Sequence, residues 1–432
     1  MRDLKETANR IEELLKEAGI GKYALEVKET EMRELNTEVE TFSLFRTIFG
    51  GTASVTVFMD NKKGSASGND LSDEGLQKVI GEAVASAESA EADEANDIAP
   101  DQGRKQVSEG PLTADMDRLY DRMTELYDAV GKEYPKVRMM AMIGSHEAEH
   151  VIYRNSNGTE FDCRDGRYAL TLEFSAFEGD RGTGLAYTEI ALRDLDRPFM
   201  EQSDTRRQIA DAQAALTVAE VAEKFEGKVL FTPRAMGEFC YMLMDNYMSG
   251  SRVLSGESMW LDKIGEKVAS DRLTLRLQAE DPRIIETQHY TLDGFAAENV
   301  PLIENGVLKS HVLNLYIANK TGRPVTKNTG WSLVIEPGDV SEEELLAQID
   351  RGLVVGGFSG GEPGANGEFS GVAKNSFYVE NGKIAGAVNE VMISGNLAGL
   401  FEKLIGLSDE LVTDGSMAMP AMLTEGVTIS GK

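Results

Sequence analysis

The chain has 432 residues, which is more than one ordinary hydrophobic core needs, so its length predicts two large lobes. Hydrophobic residues make up 41% and charged residues 27% of it, a balance that is typical of a soluble globular protein and excludes a disordered one. The formal net charge of -29 would repel phosphate groups, so nucleic acid and anionic membrane surfaces are not expected partners. We interpret the acidity as a solvated surface, with a preference for basic peptides as the alternative.

The cysteine content and the N-terminus both indicate a cytoplasmic protein. Cys163 and Cys240 lie far apart and outside any CxxC spacing, so neither a disulfide framework nor a cysteine zinc site is expected. Residues 1–20 form a charged amphipathic pattern without the apolar core of a signal peptide. No apolar run approaches the ~20 residues that span a bilayer, so no membrane association is expected.

Helix and strand patterns occur in separate blocks along the first half of the chain. The opening segment predicts a helix that ends near Gly19 and Gly21, and the following residues alternate apolar and polar side chains as in antiparallel hairpins. We expect these hairpins to be interrupted at Gly50–Gly51 and again at 61–64. A second helix is predicted from Ser72, whose side chain is suited to cap it.

The same grouping continues to the end of the N-terminal lobe, which we predict to span residues 1–225. Residues 113–134 predict a helix, 137–195 predict strands divided by a turn at 155–158, and about 203–225 predict a further helix. Because the helices are grouped between runs of hairpins and do not alternate with single strands, the sequence predicts an α+β fold.

The C-terminal lobe, predicted over residues 226–432, begins with a strand and a central helix at about 234–247 and is strand-rich after it. A hairpin turn is expected at Asn305–Gly306. Seven glycines lie between residues 356 and 371, where the backbone must turn tightly or approach another group closely. We interpret them as a glycine-rich hairpin, because the stretch lacks the GK[ST] ending of a phosphate loop.

The most prominent local motif is an HExxH pattern formed by His146, Glu147 and His150. On a helix both imidazoles would share one face and bind zinc, with Glu147 as the base. The flanking residues favour a strand, in which the two histidines would lie about 13 Å apart, too far for one zinc ion. Ser156 stands where the longer form of the motif has its third histidine. We therefore expect an exposed charged strand and keep the zinc site as the alternative.

Two further polar residues are isolated in the sequence. His311 follows the predicted hairpin and has no histidine or cysteine cluster around it, so a structural role is the first interpretation. Ser258 stands in GESMW, which is not the GxSxG pattern of a serine nucleophile. Neither residue by itself indicates a catalytic site.

Several long stretches, taken in order, resemble the TldD/PmbA family. In the C-terminal lobe these are GKVLFTPRAMGEF, SGSRVLSGESMWLDKIGEKVASDRLTL, and two later stretches that begin at Tyr290 and Phe377. In the N-terminal lobe, ELNTEVETFSLFRTIFGGTASVTVFMDNKKGSASGNDLS is similar to the family's first strands. The resemblance covers most of the chain and implies the two-lobed fold of the PmbA/TldD proteins.

The resemblance also implies where this chain departs from the zinc-binding members. TldD members bind zinc through an HExxxH helix and a distant C-terminal cysteine, and the corresponding helix positions here are Tyr241, Met242 and Asn246. A phenol, a thioether and an amide are poor replacements for two imidazoles and a carboxylate. The family's cysteine region here contains methionines, which are Met417, Met419 and Met422.

These departures match the TldE/PmbA subunits, which lack the metal motif and pair with TldD. The resemblance therefore implies a subunit without catalytic residues or metal of its own, in a metalloprotease complex that processes or degrades unstructured peptides. Zinc is expected in a TldD-like partner, and an extended peptide would be recognised mainly through its backbone. The candidate groove residues are Gly356, Gly357, Gly360, Gly361 and His311. The alternatives are ordinary turns for the glycines and a structural role for His311.

Two other functions remain open. The chain could act alone as a zinc metallopeptidase through the HEAEH motif at 146–150, which requires a helix there. It could also be a homodimeric regulatory or binding protein without hydrolytic activity, as the family's older description as a modulator of DNA gyrase suggests. The expected partner is thus a TldD-like subunit or a second copy of the chain.

Overall fold

The computed structural model describes residues 3–38, 41–328, 330 and 332–431. Its helices and strands occur in separate runs, so the prediction of an α+β fold is confirmed. None of the helices within these ranges has the length and apolar character needed to cross a bilayer. Below, the N-terminal lobe means the described residues up to 214, and the C-terminal lobe means those from 225 onward.

The longer helices begin at residues whose side chains accept a hydrogen bond from the first helical turn. Asp3, Asp115 and Thr232 cap helices in this way, and the predicted cap at Ser72 is confirmed. The opening helix is followed, as predicted, by Gly19, which has a φ of 73°. The α-helices are α1 Leu4–Glu17, α2 Asp73–Ser89, α3 Met116–Glu133, α4 Thr205–Ala214, α5 Pro233–Met248, α6 Gly250–Ser255, α7 Leu315–Thr321, α8 Glu342–Leu346 and α9 Leu397–Glu402.

Strands dominate both lobes and differ greatly in length. The strands of the N-terminal lobe are β1 Tyr23–Glu38, β2 Thr41–Met59, β3 Lys62–Gly68, β4 Arg104–Glu109, β5 Val137–Asn155, β6 Glu160–Glu178, β7 Arg181–Gly182 and β8 Ala186–Leu192. Those of the C-terminal lobe are β9 Phe225–Phe231, β10 Leu275–Leu277, β11 Val300–Glu304, β12 Val307–Leu308, β13 Leu333–Ile335, β14 Arg351–Val355, β15 Gly357–Gly360, β16 Glu368–Lys374, β17 Phe377–Glu380, β18 Lys383–Ala387, β19 Met392–Asn396, β20 Leu404–Leu407, β21 Val412–Thr413, β22 Ala418–Met419 and β23 Met422–Ser430.

The N-terminal sheet has the strand order β3-β2-β1-β5-β6-β4, with β7 and β8 also paired to β6. The break predicted at Gly50–Gly51 is wrong, because both glycines lie inside β2, opposite Thr30 and Glu29 of β1. Glycine is required there by close packing: a Cβ on Gly50 would come within 2.5 Å of the Thr30 hydroxyl. The predicted turn after β2 is confirmed at Asn61, which has a φ of 63°.

The helices of the N-terminal lobe cover the two ends of this sheet separately. α1 and α2 pack with β1–β3 around one core, and α3 and α4 pack with β5, β6 and β8 around another. The helix predicted over about 203–225 is shorter in the structure, since α4 ends at Ala214. Beyond it, the Ala219 amide donates a hydrogen bond to the Ala387 carbonyl of β18, and the Ala387 amide donates one to the Thr217 carbonyl; this pairing takes the place of further helix.

The C-terminal lobe contains two sheets that enclose α5. One has the order β12-β11-β10-β13-β22-β21, and the other has the order β15-β16-β19-β23-β9-β14-β17-β18, with β20 beside β23. The hairpins predicted at Asn305–Gly306 and in the glycine-rich segment are confirmed as β11–β12 and β15–β16. One hydrophobic core joins both sheets to the buried side chains of α5, which include Phe239, Leu243 and Tyr247.

We predict that replacing Phe239 by alanine strongly destabilises the C-terminal lobe. The ring is fully buried and lies 4.5 Å from the ring of Phe231 and 5.3 Å from that of Phe358, between centroids. Removing it should lower the free energy of unfolding by about 3–5 kcal/mol, measured by urea denaturation. The control is Leu292→Ala, at a residue that is 88% exposed, where a change within about 0.5 kcal/mol is expected.

Candidate functional site

A cleft lies where α5 meets the C-terminal segment that contains β22. Its volume is about 380 Å³, and it is lined by residues of β8, α5 and the segment around β22. The two elements pack closely: a Cβ on Gly237 of α5 would be 3.3 Å from the Met417 sulfur. Asp414 holds this segment in place, because its Oδ1 accepts hydrogen bonds from the amides of Ser416 and Met417. The fold thus unites two regions that the sequence separates by about 180 residues.

One stripe of α5 remains partly accessible, and apart from Met242 the rest of the helix is buried. Arg234, Glu238, Tyr241 and Asp245 are partly exposed and recur at intervals of four, three and four residues, which places them on one face of the helix. The first three of these line the cleft, together with Met417 and Met419. The sequence analysis missed Arg234 and Glu238, although their helical spacing from Tyr241 was a usable signal.

The three positions that the resemblance assigns to the family's zinc motif do not face the same way. Tyr241 and Met242 both pack against the hydrophobic core, but of the two only Tyr241 lines the cleft. Asn246 is 3% exposed, and neither its side-chain oxygen nor its nitrogen has a hydrogen-bond partner in the structure. A step of five residues turns an α-helix by about 140° from Tyr241 to Asn246, which accounts for the difference. Of the methionines, Met422 is fully buried in the core.

Glu238 connects the accessible stripe of α5 to the first strand of the glycine-rich hairpin. Its Oε2 accepts a hydrogen bond of 3.0 Å from the backbone amide of Phe358 in β15. Burial raises the pKa of Glu238 above its ordinary value, although the Phe358 amide and the nearby Arg234 oppose the shift. The carboxyl group therefore gains a proton more readily than an exposed glutamate does.

A second, larger cavity of about 740 Å³ lies between α4 and the turns of the nine-stranded sheet. Arg207 of α4 donates a hydrogen bond of 2.7 Å to Glu342 of α8, which ties the two lobes together. Burial raises the pKa of the neighbouring Asp211 to about 6, although Arg207 acts in the opposite direction. Gly356 also lines this cavity and packs closely on the backbone of Asn375. A Cβ added to Gly356 would be 2.2 Å from the Asn375 carbonyl oxygen.

The other candidate groove residues occupy different surroundings. Gly357 is buried beside Glu238, Gly360 packs against the Phe358 ring, and Gly361 has open space where a Cβ would be. His311 is 5% exposed and its Nε2 lies 3.1 Å from the Trp260 carbonyl oxygen, within the core region next to α5. Burial lowers the pKa of His311, which favours its neutral form.

The HEAEH segment lies within strand β5, as expected, but the expectation that it is exposed is wrong: β5 lies between β1 and β6, and His146 is only 2% exposed. His146 Nε2 is 2.6 Å from the Pro111 carbonyl oxygen, and His150 Nε2 is 2.8 Å from Asp162 Oδ1. Glu147 points to the opposite face of the strand and accepts a hydrogen bond from Arg167. Because this segment is a strand, it does not form the helix that the zinc alternative requires. The three side chains also have separate partners.

Among the described residues, one group has the composition and spacing to hold a metal ion. It consists of Glu109, Asp165 and His289, whose ligand atoms all lie within 4.8 Å of one another. His289 Nε2 is 3.0 Å from both carboxylate oxygens of Asp165, and Arg193 donates a hydrogen bond of 3.1 Å to Glu109. The Arg193 guanidinium already neutralises the Glu109 carboxylate. We therefore interpret the group as a set of polar contacts that connects the two lobes.

The comparison with known proteins supplies the family. Residues 225–431 match the model described as the PmbA/TldA metallopeptidase C-terminal domain, and residues 26–87 match PmbA/TldA metallopeptidase domain 1. Together these ranges cover more than half of the chain. The chain belongs to the PmbA/TldD metallopeptidase family. The first range contains α5 and the segment around β22, and the second contains β2, β3 and most of β1 and α2.

Relatives in the PmbA/TldD family are similar over most of the chain. The metalloprotease PmbA of Escherichia coli O157:H7 is 25% identical over 410 residues, which cover 88% of this chain and 86% of that protein. A zinc metalloprotease TldD homologue of Saccharolobus solfataricus is 24% identical over 279 residues, which cover 61% and 62%. The crystal structure of TldE from Thermococcus kodakarensis superimposes with a TM-score of 0.87 at 23% identity, covering 98% of this chain and 100% of that one. A protein of Thermotoga maritima described as a modulator of a DNA gyrase gives 0.82 at 21%, covering 99% and 100%.

The donor groups at the cleft do not fit the zinc ion that a metallopeptidase fold implies. The described lining residues include no histidine and no cysteine; their donor groups are the Tyr241 hydroxyl, the thioethers of Met417 and Met419, and the carboxylates of Glu189, Asp204, Glu238 and Asp414. Among the described residues, no three of these carboxylates lie close enough together to form a metal-holding group. Thioethers suit soft ions such as Cu(I), whereas a water-activating zinc needs imidazole, thiolate or carboxylate ligands. Of the two carboxylates on the accessible stripe, Glu238 and Asp245, only Glu238 lines the cleft, and it already accepts a hydrogen bond from the Phe358 amide.

We predict that Glu238→Gln changes the pH dependence of stability. Because its pKa is raised in the folded state, Glu238 contributes most to folding stability at pH values below 4.5, its ordinary pKa. That contribution to stability is lost as the pH rises through the pKa of the folded state. Glutamine keeps an oxygen for the Phe358 amide and does not ionise, so the variant should gain stability relative to wild type as the pH rises. Urea unfolding in a pH series from below 4.5 to neutral measures this. Parallel curves for the two proteins would contradict the raised pKa.

Proposed function

We propose that this chain is the metal-free, TldE/PmbA-like subunit of a TldD/TldE-type metalloprotease, in which a TldD-like partner carries the zinc. The observation that supports the proposal is the donor set of the described cleft lining, which contains no histidine and no cysteine and includes Tyr241, Met417 and Met419, residues that the resemblance assigns to the family's zinc-binding regions. The similarity to the metalloprotease PmbA over most of the chain supports the same role.

In this role the chain helps to shape a groove for an unstructured peptide. A cleft of about 380 Å³ is within the size range of about 300–1,000 Å³ typical of small-ligand sites, so it suits a short extended segment and excludes a folded domain. Glu238 and Arg234 supply one carboxyl and one guanidinium group for the polar groups of such a segment. The two methionine thioethers supply an adaptable apolar wall.

Strand β15, which borders the cleft through Glu238, offers a way to bind peptide backbone. It is the terminal strand of the nine-stranded sheet, so within the described ranges it has β16 on one side and no strand on the other. An extended peptide could add to this edge by β-augmentation, competing with Glu238 for the amide of Phe358. The predicted groove residues Gly357, Gly360 and Gly361 lie in or directly after this strand.

We expect the purified chain to hold no stoichiometric zinc and to cleave no unstructured peptide by itself, whereas a mixture with a TldD-like chain cleaves it. Zinc is measured by elemental analysis and cleavage with one shared unfolded substrate. The control is His146→Ala, which should leave the activity of the mixture unchanged, because His146 binds a backbone carbonyl away from the cleft. One zinc per chain, with cleavage by the chain alone, would refute the proposal.

Replacing Tyr241 by alanine should lower kcat/KM of the mixture by about tenfold, equivalent to about 1.4 kcal/mol, through loss of a cleft wall. The matched control is Tyr316→Ala on α7, whose hydroxyl instead bonds Asp93 at 2.9 Å, and its kcat/KM should equal that of wild type. Co-purification with the TldD-like chain is measured for both variants, so that lost pairing is distinguished from a changed groove. Equal kcat/KM for the two variants would remove Tyr241 from the groove.

The regulatory alternative makes a different prediction for the same purified chain. Selective recovery of DNA gyrase in a pull-down, without a TldD-like chain, would favour a binding module over a protease subunit. Recovery of a TldD-like chain favours the subunit role. The net charge of -29 permits mimicry of nucleic acid in principle, and the folded surface offers no further observation that favours it.

A further inference from the structure

The larger cavity, of about 740 Å³, adjoins the cleft and shares part of its wall. Asp204 and Gln208 line both spaces, and Gln208 donates a hydrogen bond of 2.9 Å to Asp204 Oδ2. At the start of α5, Thr232 lines the cavity and the next residue, Pro233, lines the cleft. An extended chain in the cleft can therefore place a neighbouring side chain in the cavity.

One face of α4, together with its N-cap residue, forms a wall of the larger cavity. The polar residues of this wall follow the three- and four-residue spacing of one helix face, and they are Asp204, Arg207, Gln208 and Asp211. The helix rises about 10 Å over the seven residues from Asp204 to Asp211. Asp204 lines both spaces, whereas Asp211 lines the cavity alone. Asp211 is therefore the carboxylate that lies farther along the helix from the cleft.

The α4 wall carries more carboxylates than cations. The Arg207 guanidinium donates a hydrogen bond of 2.7 Å to Glu342, and its Nε lies 3.6 Å from Asp211 Oδ2. One guanidinium group therefore serves two carboxylates, and Asp204 adds a third carboxylate to the same wall. The wall is negative as a result, and a cation that enters the cavity is attracted to it.

The other charged groups of the lining do not reverse this sign. The Arg181 side chain is 70% exposed and donates a hydrogen bond of 2.6 Å to Glu178. Lys374 and Glu390 also line the cavity, and their charges are opposite. The cavity therefore keeps the negative charge of the α4 wall.

Asp211 is accessible to a ligand although it is poorly hydrated. Its side chain keeps 39% of its surface accessible. Burial raises the pKa of Asp211 to about 6; Arg207 opposes this shift, and the charges of Glu342 and Asp204 add to it. Opposite charges attract more strongly where water is partly excluded, so a carboxylate in this position gains more from an incoming cation than an exposed one does.

The rest of the lining indicates which kind of cation fits. Several lining side chains are apolar, and they include Ala212, Leu216, Val372, Phe377 and Val388. Lysine and arginine side chains combine an apolar stem with a charged head, so they can contact both parts of such a wall. A metal ion fits less well, because among the residues that the structure describes the carboxylates of this cavity do not belong to a group that could hold one.

We propose that the larger cavity is a subsite for a lysine or arginine side chain of the peptide in the cleft, and that Asp211 selects its positive charge. The inference rests on the proposed function, because the peptide in the cleft is its ligand. It adds a substrate class, which is unstructured peptides with a basic residue beside the segment that the cleft holds. The net charge of -29 attracts the same peptides from a distance.

The first experiment compares unstructured peptides that carry lysine, glutamine or glutamate at one position, which is moved along the peptide one residue at a time. Cleavage is measured with the mixture of this chain and a TldD-like chain. At one position, kcat/KM for lysine should exceed that for glutamine by about tenfold, and Asp211→Asn should reduce the ratio to about one. Equal values at every position, or a preference for glutamate, overturn the proposal.

The matched control for this experiment is Asp271→Asn, which removes one carboxylate from an exposed residue that does not line the cavity. This variant should keep the tenfold preference for lysine. Loss of the preference in both variants would show that the net charge of the chain, and not Asp211, selects the peptide, and would overturn the proposal.

The second experiment measures binding of labelled lysine and glutamine peptides to the chain alone, by fluorescence anisotropy, between neutral pH and about pH 5. The tighter binding of the lysine peptide should be lost as the pH falls through about 6, because protonation removes the charge of Asp211. The described lining contains no histidine that would titrate in this range. A preference for lysine that does not change with pH in wild type overturns the proposal, even if Asp211→Asn fails to fold, which circular dichroism checks.

The two experiments separate failure of this inference from failure of the proposed function. A mixture that cleaves the lysine and glutamine peptides equally keeps the protease role and overturns the subsite. A mixture that cleaves no peptide refutes the protease role, and binding by the chain alone then decides the subsite. A preference for lysine that Asp211→Asn removes supports the subsite, whereas equal binding or no binding overturns it.

Discussion

The burial of α5 on nearly every side is the constraint on which the C-terminal lobe depends. The helix lies between two sheets, and its Phe239, Leu243 and Tyr247 side chains belong to the core that both sheets share. A helix enclosed in this way can expose only one narrow stripe, and the accessible residues from Arg234 to Asp245 occupy it. Which positions can meet a ligand is therefore decided by packing. The family's motif positions follow the same limit, since Tyr241 lines the cleft while Asn246 is buried.

Aromatic packing and charge both join the two lobes. Tyr290 of the C-terminal lobe stacks on Phe161, with ring centroids 5.3 Å apart, and lies 5.0 Å from the Tyr153 ring. Gly294 has a φ of 91° directly against Tyr153, where a Cβ would be 2.2 Å from the hydroxyl oxygen. The Asp165–His289 pair extends this joint.

Local signals in the sequence predicted the elements that depend on neighbouring residues. The cap at Ser72, the turn at Asn61 and the hairpin at Asn305–Gly306 each need only a few residues and their backbone preferences, and all three are confirmed. The strand at 137–155 was predicted from its flanking residues against an HExxH match. The failures involve distant contacts. Gly50 serves close packing on Thr30, and the chain after α4 pairs with β18 in place of further helix.

The candidate site divides in the same manner. The resemblance to the PmbA/TldD family marked Tyr241 and Met417 from the sequence, but their proximity, and the parts played by Glu238 and Arg234, appear only when α5 packs against the C-terminal segment. The sequence by itself determined the α+β class, the family and the absence of an imidazole pair at the motif positions, because these follow from residue types and local spacing. The tertiary structure alone decided which side of α5 stays accessible, which carboxyl group acquires a raised pKa, and which strand edge remains open. Those properties depend on burial by residues that are far away in the chain.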